Sequence, residues 1–223
     1  MLYHERAPGG VIRTVGNLKS RAFSIRKLPA NEGNDGRAFP LPFLMNDDVT
    51  LSLSRRQQPM PYAFRDGDAD LLYFVHEGTG TMATEFGPIM YEPGDYIYIP
   101  RGTTFRQLPS AVATLALVIE SRDPIDFASH AQVGRHFPFD PQLITIPTVE
   151  KYDWPAQEEW ELVIRAQGEI TSVFYANSPF DVVGWKGDLF PFKVNIRDIH
   201  VLTSERLHLA PSSWATFEAP GFM

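Results

Sequence analysis

The chain has 223 residues, 43% of them hydrophobic and 13% aromatic, and a formal net charge of −7. That is enough apolar material for one sizeable core, or for one complete domain and part of another. No block of Lys and Arg is present, which argues against a nucleic-acid or anionic-membrane surface. The longest apolar runs, Leu71 to Val75 and Leu115 to Ile119, are strand-sized and too short to span a bilayer. The first residues, with His4, Glu5, Arg6 and Pro8, carry no apolar leader. Cysteine is absent, which excludes disulfides, thiolate metal sites and a Cys nucleophile and fits a reducing cytoplasm. The expectation is an acidic, soluble, cytoplasmic protein.

In chain order, 19 prolines and 16 glycines cut the sequence into short segments that suit strands and turns better than long helices. Val49 to Ser54 alternates apolar and polar residues. Leu71 to His76, Thr81 to Phe86, Tyr91, Tyr96 to Ile99 and Thr114 to Glu120 follow as strand signals. Gly78–Gly80, Gly87-Pro88, Pro93-Gly94 and Arg101-Gly102 separate them. Ile97 and Ile99 share one face and Tyr96 and Tyr98 the other, while Leu115, Leu117 and Ile119 share a face. A looser stretch from about Asp123 to Trp154 has no strong helix, although Ser121 to Pro124 could open a single turn. A second strand pair starts near Glu159, turns at Gln167-Gly168 and returns over Ile170 to Tyr175. Arg206 to Met223 reads as two further strands of a new sheet. Both ends look cut, since Phe222-Met223 stops inside an apolar run and Met1-Leu2-Tyr3 has no lead-in.

Residues 94 to 105 read Gly-Asp-Tyr-Ile-Tyr-Ile-Pro-Arg-Gly-Thr-Thr-Phe. This resembles the second motif of cupin barrels. Gly94-Asp95 turns the chain into a strand whose inward residues line the barrel, and Pro100 and Gly102 turn it out again at the rim. The strand ending in Glu77-Gly78-Thr79-Gly80 matches the first motif. Metal-binding cupins take two histidines and a glutamate from the first motif and a histidine from the second, a donor set suited to divalent iron or manganese. Here the second-motif histidine position is Phe105 and the glutamate position is Leu71, and the loop over Tyr62 to Ala69 has no histidine. His76, at the end of its strand, reads as a rim or surface residue. This barrel is expected to bind no metal.

The most specific stretch is Ser178-Pro179-Phe180-Asp181-Val182-Val183-Gly184-Trp185-Lys186-Gly187-Asp188-Leu189-Phe190-Pro191-Phe192, followed by Asn195-Ile196-Arg197-Asp198. With Asp68-Ala69-Asp70, the run from His76 to Gly80, and Gly94-Asp95 through Gly102, it resembles the homogentisate 1,2-dioxygenase family over nearly the whole chain. The family pattern usually has Asp at Lys186 and Glu at Leu71. From the residues alone, 178–192 reads as a buried aromatic connection, with Gly184 and Gly187 permitting tight packing around Trp185.

The resemblance implies an all-β, double-cupin (RmlC-like jelly-roll) protein, with one complete metal-free barrel and the opening strands of a second. The corresponding division is 1–140, the first barrel, and 141–223, a connection and the start of the next. It further implies an enzyme in which Fe(II) helps O₂ open the ring of homogentisate to maleylacetoacetate in tyrosine and phenylalanine breakdown, and a trimer- or hexamer-forming homo-oligomer. The iron ligands would fall past Met223, so the cofactor's ligands are absent from this chain and the chain alone is expected to be inactive. By the same resemblance His208 is the acid/base residue that orients and deprotonates the substrate hydroxyl, histidine titrating in the useful range. A strand histidine satisfied by a carbonyl stays open for His208, and surface or structural roles are expected of His4, His130, His136 and His200. Two other readings stand beside the enzyme: a metal-free cupin serving in binding or assembly, and a cupin acting on another small aromatic acid.

Overall fold

The computed structural model describes residues 5, 12–16, 22, 24–29, 31–33, 35–128, 140–199 and 215–221. Its strands are β1 (Leu41–Met45), β2 (Val49–Arg56), β3 (Ala63–Asp66), β4 (Asp70–Glu77), β5 (Gly80–Thr84), β6 (Gly87–Tyr91) and β7 (Asp95–Ile99). They continue with β8 (Thr104–Pro109), β9 (Thr114–Ser121), β10 (Asp126–Phe127), β11 (Trp160–Ala166), β12 (Glu169–Tyr175), β13 (Phe192–Asn195) and β14 (Phe217–Glu218). Among the described residues the only helical pieces are short 3₁₀ turns, and no helix is long and apolar enough to cross a membrane. The protein is all-β.

Two six-stranded sheets face each other, in the orders β1-β2-β9-β4-β7-β13 and β12-β11-β3-β8-β5-β6. The inner order β2-β9-β4-β7 against β3-β8-β5-β6 is that of a jelly roll, two interleaved Greek keys whose successive strands alternate between sheets except at the β5–β6 hairpin. The sheets are not closed into a ring. β11, β12 and β13 lie beyond residue 140, yet they extend both sheets: β11 runs parallel to β3, and β13 antiparallel to β7. β14 pairs with β10 in a separate two-stranded sheet, while residues 206–214 and 222–223 of the expected new sheet lie outside the described residues.

Parity along each strand explains the packing. Leu71, Tyr73, Val75, Ile97, Ile99, Ala116 and Val118 from one sheet meet Phe64, Met82, Ile89, Phe105 and Val163 from the other. The opposite parity, Leu72, Tyr98, Phe192 and Val194, is buried under Ile125, Phe217 and Ala219. Both faces of β4 are therefore covered, which is why Leu71 to Val75 is a continuous apolar run instead of an alternating one. The two faces expected for Tyr96 to Ile99 are present. On β9 the residues between the sheets are Ala116 and Val118, and Ile119 belongs to the outer layer. Leu115, Leu117 and Ile119 thus share the face turned away from the centre, which the outer layer makes apolar too.

The expected turn at Gln167-Gly168 is a two-residue hairpin loop closed by the pair Ala166 and Glu169. Both loop residues have positive φ, 55° at Gln167 and 77° at Gly168, the geometry that matches the twist of paired strands. The Asp68 carboxylate accepts both loop amides at 2.7 Å, and these bonds hold its pKa below the usual carboxylate value. Ser121 to Pro124 forms no helical turn; the Ser121 hydroxyl instead donates to the Asp123 carbonyl at 2.7 Å.

Candidate functional site

A jelly roll of this kind offers its centre as the natural place for chemistry, and here the centre is filled. Leu71 on β4 and Phe105 on β8 point between the sheets at 3% and 1% exposure. The Phe105 ring meets Phe64 and Tyr73 edge-on, with centroids 5.6 and 6.2 Å away. The void left beside Tyr73, Gln107 and Arg56 is about 20 Å³, room for a single water molecule and far too small for an aromatic ring. Iron(II) in a site of this type needs imidazole and carboxylate donors. Two of the positions that would supply them present a leucine and a phenyl ring, so the residues present do not fit the metal. His76 lies at the rim, its side chain 57% exposed and 3.9 Å from the Glu77 carboxylate. Among the described residues no group of three His, Cys, Asp or Glu is placed to hold a metal ion.

The motif glycines have conformational reasons of their own. Gly94 (φ +95°) and Gly102 (φ +84°) make the turns into β7 and out to β8, as expected. At Gly78 (φ +86°) a Cβ would lie 2.6 Å from the Ala113 carbonyl oxygen, so only glycine fits.

Polar groups missed by sequence reasoning close the ends of the core. Arg165 lies 2.6 Å from a Glu120 oxygen and 3.1 Å from Asp66, its guanidinium over the Phe64 ring at 5.6 Å. Burial raises the Glu120 and Asp66 pKa values and Arg165 opposes the rise. Arg56 and Glu32 form a second pair, 2.8 Å apart, with both side chains at 2% exposure or less. Asp70 accepts from the Tyr98 hydroxyl (2.7 Å) and from the Arg101 and Ile125 amides (2.8 and 3.0 Å). Each of these carboxylates is spent on internal partners. A signal for Arg165 existed: on β11 it shares parity with the buried Val163, so an arginine at that phase has to find an acid inside.

The specific segment 178–192 behaves differently from expectation. Nothing comes within 4 Å of a Cβ built on Gly184 or Gly187, and Val183 is 98% exposed. Tight packing around Trp185 is therefore not what these glycines provide; Gly187 instead adopts φ +124°. Trp185 rests on Phe86 and Phe190, centroids 5.3 and 5.2 Å away, and Phe180 is buried with Ala63 and Leu162. The following residues clamp the cupin turn. Lys193 Nζ and Asn195 Nδ2 donate to the two oxygens of buried Asp95 at 2.9 and 2.8 Å, and the Ile196 amide donates to the Gly94 carbonyl at 2.8 Å. The two most recognisable sequence motifs thus hold each other in place. His208 lies outside the described residues, as do His4, His130, His136 and His200.

The strand order and the motif turns define a jelly roll of the cupin type with a packed, apolar centre. The chain belongs to the family described as homogentisate 1,2-dioxygenase N-terminal, which matches residues 48–196. A Saccharolobus solfataricus protein assigned to the dioxygenases is 29% identical over 238 aligned residues, covering 100% of this chain and 61% of that protein. The homogentisate 1,2-dioxygenase of Bradyrhizobium diazoefficiens is 31% identical over 60% of this chain and 30% of its own length. That of Pseudomonas savastanoi pv. phaseolicola is 28% identical over 78% and 40%. The chain therefore spans less than two thirds of the length of each of these relatives. Among solved structures it is similar to a cupin-2 domain containing protein from Shewanella frigidimarina, with 21% identity, a TM-score of 0.34 and coverage of 38% of this chain and 80% of that one.

Proposed function

We propose that this chain is the metal-free jelly-roll part of a cytoplasmic ring-cleaving dioxygenase that opens homogentisate with O₂ to maleylacetoacetate, within a homo-oligomer. Fe(II) would be held by residues outside this chain. The observation that carries the reading is the packing of Leu71 and Phe105 where a catalytic cupin would place metal ligands. The chain's work is then architectural: β13 and the residue after it lock onto the Gly94-Asp95 turn, giving whatever follows a fixed base. His208 is proposed as the group that takes the substrate's phenolic proton. Iron, when bound in the whole protein, would bring the hydroquinone and dioxygen into one coordination sphere.

The test is a turnover assay. Residues 1–223 incubated with Fe(II), O₂ and homogentisate should form no maleylacetoacetate, whereas a longer protein containing this chain and the iron ligands should form it. Sustained ring opening by the chain alone would overturn the proposal.

A further inference from the structure

The four outer edges of the two sheets are not treated alike. β13 is shielded because Thr145 exchanges two backbone hydrogen bonds with Lys193, at 2.9 and 3.0 Å. β6 begins where the Thr148 backbone presses on Gly87, so closely that no Cβ would fit there, and it carries Pro88. β1 carries Pro42 and an irregular register between Pro42 and Leu44. These are the usual ways of keeping an edge from recruiting another strand. β12 has none of them. It is a regular seven-residue strand, Glu-Ile-Thr-Ser-Val-Phe-Tyr, without proline, lysine or bulge, and among the described residues only β11 pairs with it. Ile170, Phe174 and Tyr175 are 47%, 57% and 44% exposed.

We infer that β12 is a self-pairing edge through which two copies of this chain join their sheets about a two-fold axis at Ser172. The register decides which backbone groups are free. Ala166 and Glu169 close the two-residue turn, so they form a pair that exchanges hydrogen bonds, and such pairs alternate along the ladder. Residues 169, 171, 173 and 175 therefore face β11, and the amides and carbonyls of Ile170, Ser172 and Phe174 face outward. Antiparallel pairing with a second β12 centred on Ser172 satisfies all of them, with about six backbone hydrogen bonds.

The side chains fit the same axis. Ile170 falls opposite Phe174 of the second copy, and Thr171 opposite Val173. Glu169, the strand's one charge, falls opposite Tyr175, so no like charges meet. A shift by one residue would break this self-match. A foreign strand would need a sequence chosen for the edge, whereas a second copy supplies it by symmetry. Paired edges alone bury less than a standard interface, so a dissociation constant on the order of 10 to 100 µM is expected. This inference does not rest on the chemistry proposed above.

Sedimentation velocity over roughly 5 to 500 µM protein should show a monomer passing into a dimer. Ser172→Pro removes an outward amide, leaves the backbone bonds to β11 in place and loses besides only the Ser172 hydroxyl's bond to Glu161; it should leave a monomer throughout. Ile170→Lys should weaken dimerisation at least about tenfold by setting a charge against Phe174 of the second copy. Should the proline variant fail to fold, the lysine variant and a cysteine decide. The chain has no cysteine, and facing residues of such a pair lie within disulfide reach, about 5.5 Å between Cα atoms. Mild oxidation should therefore link Ser172→Cys into a covalent dimer and leave Val183→Cys monomeric. A wild-type monomer over the whole range overturns the inference. So does a dimer that is unchanged in both the folded proline variant and the lysine variant.

Discussion

Replacing Arg56 with alanine is expected to destabilise the fold by about 3–5 kcal/mol, the cost of leaving one member of a buried ion pair alone. The Arg56 guanidinium donates to Glu32, to the Gly36 carbonyl and to the Ala38 carbonyl, each at 2.8 Å. It is thereby the pin that holds residues 31–33 and 35–38 against β2, while the second Glu32 oxygen accepts the Arg55 amide at 2.8 Å. The loss should depend on pH in a definite direction. Burial holds the Glu32 carboxyl above its ordinary pKa and Arg56 pulls it down; without Arg56 it rises further. A carboxyl raised on folding favours the protonated folded state. Its contribution is complete below the unfolded pKa of about 4.3 and is lost as pH climbs through the folded value. The deficit of Arg56→Ala relative to wild type should therefore be larger at pH 8 than at pH 5, measured by denaturant unfolding at both. Adding Glu32→Gln should recover part of it. A deficit under about 1 kcal/mol, or one independent of pH, would contradict the burial of this pair.

The second large effect is expected from Phe105→Ala, at about 3–5 kcal/mol. Phe105 is 1% exposed between Phe64 and Tyr73, with Leu71 in the same cluster. Removing its ring leaves a space lined mainly by apolar atoms that cannot collapse without moving strands from both sheets. Val183→Ala, at a residue 98% exposed, is the matched control and should stay within about 0.5 kcal/mol of wild type. Thermal and denaturant unfolding of the two variants side by side checks this. A Phe105→Ala protein as stable as the control would mean that the centre is loosely filled and open to ligands.

Strands were legible where period and punctuation agreed. β2, β4, β7, β9, β11 and β12 combine apolar or alternating segments with glycine or proline boundaries, and the Gln167-Gly168 turn fell between two of them. The short or polar ones escaped. β3 reads Ala-Phe-Arg-Asp and β8 reads Thr-Phe-Arg-Gln-Leu-Pro, and both follow from partners remote in sequence. Asp66 is answered by Arg165, and Arg65 donates to Thr104 at 2.6 Å. Residues so far apart leave no local period, and β13 became a strand only because β7 lies beside it. The specific segment around Trp185 was recognisable as a family mark, yet the packing of Trp185 depends on Phe86, which meets it from outside the run. For the candidate site, Leu71 and Phe105 could be placed from motif spacing alone, because the turn glycines fix the phase of the strands next to them. The ion pairs of Arg56 and Arg165 could not, since each acid arrives from another part of the chain.

The interior of this jelly roll is a packed core in which Leu71 and Phe105 stand where metal ligands would. Loading purified residues 1–223 with ferrous ion under anaerobic conditions, desalting, and measuring iron per chain tests it most directly. No stoichiometric iron should remain; one tightly held iron per chain would contradict the reading of Leu71 and Phe105 as the residues that close the site.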